Sequence, residues 1–185
     1  AVNGTGYFTD YLSLIPDSVY LLLTHNSLLS SATDYANYRI STGYNSYVVD
    51  VNELYWQFAY GIEKHPLALR NFIDYLGQNN KLPTNVFLVG KSVKAKEYRK
   101  NATVFHQNLV PSFGNPTSDI LLFSGLNGGL LEPPMPVGRL AAKTNDEVYW
   151  YLNKVQQHEN PITGPNGETE WMKRILHFAG GTNNS

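Results

Sequence analysis

The stretch "NVFLVGKS", Asn85 to Ser92, decides how the rest of the chain is read. Val86, Phe87, Leu88 and Val89 form an unbroken apolar run of residue types that favour a strand covered on both faces. The Gly90-Lys91-Ser92 that follows matches the end of a phosphate-binding P-loop. A P-loop also needs a glycine five positions before its Gly-Lys pair, with a flexible loop between. Asn85 stands at that place and the intervening residues are strand formers. Asn85 to Gly90 is therefore expected to be a buried parallel strand and not a nucleotide loop.

Outward from this strand, strands and helices alternate. "SVYLLLT" (Ser18 to Thr24) and "SYVVDV" (Ser46 to Val51) are similar apolar runs. Between them, Asn26 or Ser27 can cap a helix, with Leu28, Leu29, Ala32, Ala36 and Ile40 expected on its buried face and Gly43 as its stop. "NELYWQFAYG" reads as a short helical turn. Pro66 then opens a helix whose Leu69, Phe72, Ile73 and Leu76 stand at i, i+3, i+4 and i+7. From Lys91 to Thr117 periodicity is weak, which predicts an excursion or hairpin. "DILLFSG" is expected to be a further strand, followed by the turn "LNGG", and "PPMPVGRLAA" holds a short strand led in by prolines. Thr144 and Glu147 make a capping box before a helix with Val148, Tyr151, Leu152 and Val155 as its apolar stripe. "NPITGPNGETE" is a turn-rich linker and "RILHFAGG" the last expected strand.

Helices of this length between strands imply parallel pairing. The fold expected is one α/β domain of three layers, a doubly wound, mostly parallel sheet of the Rossmann or flavodoxin kind. Ligands of such sheets gather at the carboxyl ends of the strands. Those ends carry Thr24-His25, Asp50, Gly90-Lys91, Ser124-Gly125, Arg139 and Gly180-Gly181.

Composition narrows the function. The chain has 185 residues, 42% hydrophobic and 16% charged, which fits one globular domain with a real core and excludes a disordered tract. A net charge of -1 argues against nucleic acid as the partner, and no apolar run approaches the length of a membrane span. With no Cys, these residues supply neither a disulfide nor a thiolate nucleophile. "AVNGTGYFTDYLSLIPD" lacks the basic start and continuous apolar core of a signal peptide. The stop just after an expected buried strand reads as that of a trimmed polypeptide.

The chemistry-bearing residues do not assemble into a motif. His25 is expected to help cap the helix that follows it, since no nucleophile or paired carboxylate has matching spacing. His65, His106, His158 and His177 lack the i, i+4 pairing of a zinc site, and the seven Asp residues form no calcium loop. His158 near a helix end serves the helix dipole. Ser124-Gly125 resembles a nucleophile elbow but lacks the glycine two positions earlier. Lys91, Lys94, Lys96, Arg99 and Lys100 read as a solvated basic face.

Several blocks, in order, resemble the front half of the gingipain-type cysteine peptidases, a family that includes the sortase of the bacterial type IX secretion system. They are "YLLLTHNSLLSSATDYANYRISTGYNSYVVDVNELYWQFAYG", "HPLALRNFIDYL", "VFLVG", "PVGRLAAKTNDEVYWYLNKVQQHEN" and "WMKRILHFAGG". The resemblance spans about Tyr20 to Gly181 and is weak from Lys91 to Leu122. It implies the first of two caspase-like subdomains: a lead-in over 1–17, the subdomain over 18–181, and the start of a downstream region at 182–185. The His–Cys dyad of the family lies in the second subdomain, where a thiolate and an imidazole cleave a peptide bond through a thioester. No catalytic or cofactor-binding residue carries over to this chain, and no cofactor is required of it. Calcium enters only through the resemblance, and no metal ligand can be assigned. The partners implied are the downstream catalytic subdomain and a polypeptide substrate, and the location implied is secreted or at the cell surface.

This chain departs from the family at Lys91, where an acid is common. Gly180-Gly181 also replaces acids, and only Ser118-Asp119 remains of an acidic aromatic segment. The loss of acids is consistent with a lost cation site, altered cleft electrostatics or a degenerate homologue with a binding or scaffold role. A flavodoxin-like nucleotide binder is a third reading, disfavoured because no Gly-rich or hydroxyl-rich phosphate loop follows the first strand.

Overall fold

The computed structural model describes residues 6–129 and 131–159. The chain divides into two compact units, Ala1–Trp150 and Tyr151–Ser185. In the first, a short helix α1 (Tyr11–Leu14) precedes strand β1 (Val19–Thr24). A 3-10 turn (Asn26–Leu28) leads into α2 (Leu29–Ser41), then β2 (Asn45–Asp50), α3 (Val51–Phe58), α4 (Leu67–Gln78) and β3 (Asn85–Val89). Three short helices follow, α5 (Ala95–Lys100), α6 (Ala102–Phe105) and α7 (Asp119–Phe123), before β4 (Val137–Leu140) and α8 (Asn145–Glu159). Of the second unit, the described part is the remainder of α8, from 151 to 159. The linker and last strand expected beyond residue 159, with His177 and Gly180-Gly181, lie outside the described residues.

The four strands form one parallel sheet in the order β2-β1-β3-β4. "NVFLV" is thus a central strand, between β1 and β4, as the apolar run requires. Successive side chains of a strand point to opposite faces. Leu21, Leu23, Val86 and Leu88 accordingly join Leu54, Leu69, Phe72, Ile73 and Leu76 of α3 and α4 in one core. Tyr11 and Ile15, from the segment before β1, are buried in the same cluster. The alternate residues Tyr20 and Phe87 pack on the other face against Tyr35 of α2. Helices on both faces make the doubly wound architecture.

Three local expectations are corrected. The buried face of α2 is Ser31, Ala32, Tyr35, Ala36 and Arg39, while Leu29 and Ile40 are exposed. Arg39 takes an inward place because its guanidinium donates to the Tyr35 hydroxyl at 3.2 and 3.1 Å and sits 5.1–5.9 Å from four tyrosine ring centres. Those rings replace part of its hydration. Asp119–Phe123, expected as a strand, is a helix. Ser118 caps it by accepting from the Leu121 N–H, and Arg70 of α4 satisfies its final turn by donating to the carbonyls of Leu122 and Ser124 at 3.0 and 2.7 Å. The capping box is displaced by one residue. Thr144 accepts from the Glu147 N–H, but the Glu147 carboxylate accepts from the Lys143 N–H at 2.6 Å instead of from Thr144.

The segment after β3 is the excursion alternative, built of α5, α6 and α7 with a single antiparallel bridge, Phe113 to Ser118.

Candidate functional site

In this strand order the chain leaves β1 toward β2 on one side and reaches β3 on the other, so the switch point lies between the carboxyl ends of β1 and β3. Thr24 occupies it. Its buried hydroxyl donates to the Val89 carbonyl at 2.9 Å. His25 follows, and its Nδ1 accepts from the Ser27 N–H at 3.2 Å and lies 2.9 Å from the Ser27 hydroxyl. The imidazole thus caps the 3-10 turn, as its position after the strand predicts. Burial pushes its pKa down, aided by Lys64 and opposed by the Asp50 charge. Asp50, at the end of β2, caps α3 by accepting from the Asn52 N–H at 3.0 Å. Burial raises its carboxyl, against the pull of the Asn52 bonds and His25.

Gly90 and Lys91 have specific structural work. The Gly90 N–H donates to the Leu140 carbonyl and the Lys91 N–H to the Ala142 carbonyl, each at 2.8 Å. The Lys91 carbonyl accepts from Leu109 and Val110. The two amides that a phosphate nest would use are therefore engaged by backbone, which closes the P-loop reading of "GKS". Gly90 has φ of +148°, and a Cβ there would stand 2.7 Å from Val110 Cγ2. Only glycine lets residues 109–110 close over the end of β3.

Arg139, one residue before the end of β4, holds this closure together. Nη1 donates to the carbonyls of Gly90 at 2.7 Å and Val110 at 2.9 Å. Nη2 reaches Pro111 O at 3.3 Å, and Nε with Nη2 grips both Asp119 oxygens at 2.7 and 2.8 Å. This is the planar bidentate fork that only arginine presents. Burial alone would raise the Asp119 carboxyl, but Arg139, with help from Ser112, holds it below the ordinary carboxylate range.

Some residues at this edge carry no sequence signal. Lys64, in the loop before α4, donates to the Phe105 carbonyl at 2.6 Å and lies 4.2 Å from that ring's centre, anchoring the excursion. Its pKa is lowered by burial, against the pull of Glu63. Tyr55 is buried, its hydroxyl without a hydrogen-bond partner among the described residues. Lys64 in "GIEKHP" looks like a surface residue because its partner, Phe105, comes from a distant segment.

The other candidates stand apart. Ser124 ends α7 and donates to Ile120 O, away from any strand end. His65 caps α4 by accepting from the Leu67 N–H, His106 packs edge-on against Phe105, and His158 lies in the last turn of α8. Among the described residues no cluster of three His, Cys, Asp or Glu is placed to hold a metal ion. No helix among them is long and apolar enough to cross a membrane.

The strand order and helices define a doubly wound α/β domain whose third strand ends under a segment of its own chain. The chain belongs to peptidase family C25, whose model matches residues 15–185. The gingipain-type resemblance holds on this evidence. Among solved structures, the crystal structure of dimeric latent PorU from Porphyromonas gingivalis is similar, with a TM-score of 0.55 at 18% identity. The match covers 86% of this chain but 17% of the PorU chain. At that identity the likeness concerns the fold. No curated protein matches.

Proposed function

We propose that this chain is the non-catalytic first subdomain of a gingipain-like cysteine endopeptidase or sortase-like transpeptidase, secreted or held at the cell surface. It supports a catalytic subdomain that follows it and acts on polypeptide. The observation that carries this reading is a family C25 match over residues 15–185 in a chain without cysteine. A thiolate chemistry then needs residues from elsewhere. The strand ends fit a supporting role, because their polar groups are spent on caps and carbonyls.

Incubated with a fluorogenic peptide under reducing conditions, the 185-residue chain gives no turnover. The same chain extended through the downstream region gives turnover that iodoacetamide abolishes. Thiol-dependent cleavage by the 185-residue chain alone, surviving repurification, overturns the reading. Lys91, standing where the family often has an acid, favours a second reading: a binding or scaffold domain in secretion or surface assembly. An inactive extended polypeptide would decide for that one.

A further inference from the structure

Five of the chain's 14 Lys and Arg residues fall within 91–100, against one acid, Glu97. In sequence this run reads as a solvated face. The structure places three of the five beside cavities, Arg99 at one and Lys91 with Lys94 at a second. Tyr98 and Arg99 of α5 line a cavity of about 650 Å³ whose apolar wall includes Ile62, Leu67 and Phe113. Those three are 55%, 41% and 50% exposed, which is more apolar surface in one place than a solvated face needs. Thr117 joins this cavity to a second of about 230 Å³ beside Lys91 and Lys94. Among the described residues Lys94, Lys96, Arg99 and Lys100 enter no ion pair.

The other charged groups at the cleft are Glu63, Lys64 and His65. Lys64 is committed to the Phe105 carbonyl and His65 to the Leu67 N–H, which leaves Arg99, with Lys91 and Lys94 of the adjoining cavity, to meet a ligand, against Glu63 and Glu97.

We propose that this cleft docks an extended acidic peptide segment, with its apolar side chains against Ile62, Leu67 and Phe113 and its carboxylates against Arg99, Lys91 and Lys94. Charge complementarity selects the occupant. A peptide spaces its carboxylates and places apolar side chains between them, which matches an apolar wall under a basic rim. A single-stranded nucleic acid fits worse. Tyr98 and Phe113 offer rings to a base, but Arg99 is the one α5 cation at the apolar cavity, too few for a continuous phosphate backbone, and the chain's net charge is -1. The surface does not depend on the proposed peptidase role, so either can fail alone.

The test is fluorescence anisotropy of the full 185-residue chain with a labelled peptide alternating Glu with Leu and Phe. Saturable binding is expected, weakening as salt is raised. Replacing Glu by Gln in the probe is expected to weaken it by roughly fivefold, and Lys94→Glu with Arg99→Glu by roughly tenfold, scaled from exposed ion pairs. Leu67→Ser with Phe113→Ser is expected to weaken both probes alike. Lys94 and Arg99 are exposed, and circular dichroism confirms that each variant folds. Absence of saturable binding, equal affinity for the Glu and Gln probes, indifference to both double variants, or tighter binding of an oligonucleotide of equal charge overturns the proposal.

Discussion

Arg139→Met tests whether one side chain holds the excursion on the sheet. Arg139 makes five hydrogen bonds, three to carbonyls of Gly90, Val110 and Pro111 and two to Asp119. The two side chains keep 12% and 23% exposure, which places the pair between buried and surface behaviour. Breaking a buried pair from one side costs ~3–5 kcal/mol and an exposed pair under ~1. With three carbonyls also losing their donor, about 3 kcal/mol is the expected loss for Arg139→Met. Asp119→Ala leaves Arg139 its three carbonyls and costs about 1.5 kcal/mol. The double variant leaves no carboxylate stranded and costs about 3 kcal/mol, so the pair couples by about 1.5. Urea unfolding followed by circular dichroism reads this out. At a slope of about 2 kcal/mol/M, Arg139→Met lowers the midpoint by about 1.5 M. The pH dependence follows the depressed Asp119 carboxyl. Its contribution is full above the unfolded value of ~4 and is lost as pH falls through the lower folded value. Asp119→Ala removes that part of the acid limb. A loss below about 1 kcal/mol for Arg139→Met, or strict additivity in the double variant, refutes the anchoring role.

Three further outcomes follow from the same edge. Gly90→Ala, with its Cβ 2.7 Å from Val110 Cγ2 at a φ of +148°, should cost about 2–4 kcal/mol in thermal unfolding, and a cost under about 1 would mean residues 109–110 move freely. Tyr55→Phe removes a buried hydroxyl with no partner among the described residues and should be neutral or stabilising by up to about 1 kcal/mol. A clear loss of stability would reveal an acceptor. By NMR titration His25 should ionise below its ordinary value, and Asp50→Asn should push it lower still by removing the opposing charge. Because the folded state resists protonating His25, its stability share is present above the unfolded value of ~6.5 and declines as pH falls toward the folded one. A His25 titrating above that value contradicts the burial account.

The legible parts were those where one segment alone sets the outcome. Val86–Val89 can only be a covered strand, and Leu69, Phe72, Ile73 and Leu76 can only be one face of a helix, all four fully buried. His25 after β1 read correctly as a cap because capping is local. Failures arose where a partner comes from elsewhere. Arg39 displaces Leu29 and Ile40 from the expected face because rings from β1 and the turn after α2 surround it. "DILLF" looks like a strand until Arg70, 52 residues earlier in the chain, meets its last carbonyls. Arg139 was marked as a strand-end residue, yet its grip on four separate backbone and side-chain groups has no sequence signature.

The closing of residues 109–111 over Gly90 means that the end of β3 is occupied by a tethered segment of the same polypeptide. Such a segment acts at an effective concentration on the order of millimolar, which a diffusible ligand would have to exceed. A diffusible ligand at this end of β3 would have to displace two sets of bonds: those of the Gly90 and Lys91 amides to Leu140 and Ala142, and those of Arg139 and the Lys91 carbonyl to residues 109–111. Excising the loop would free the second set and leave the first in place.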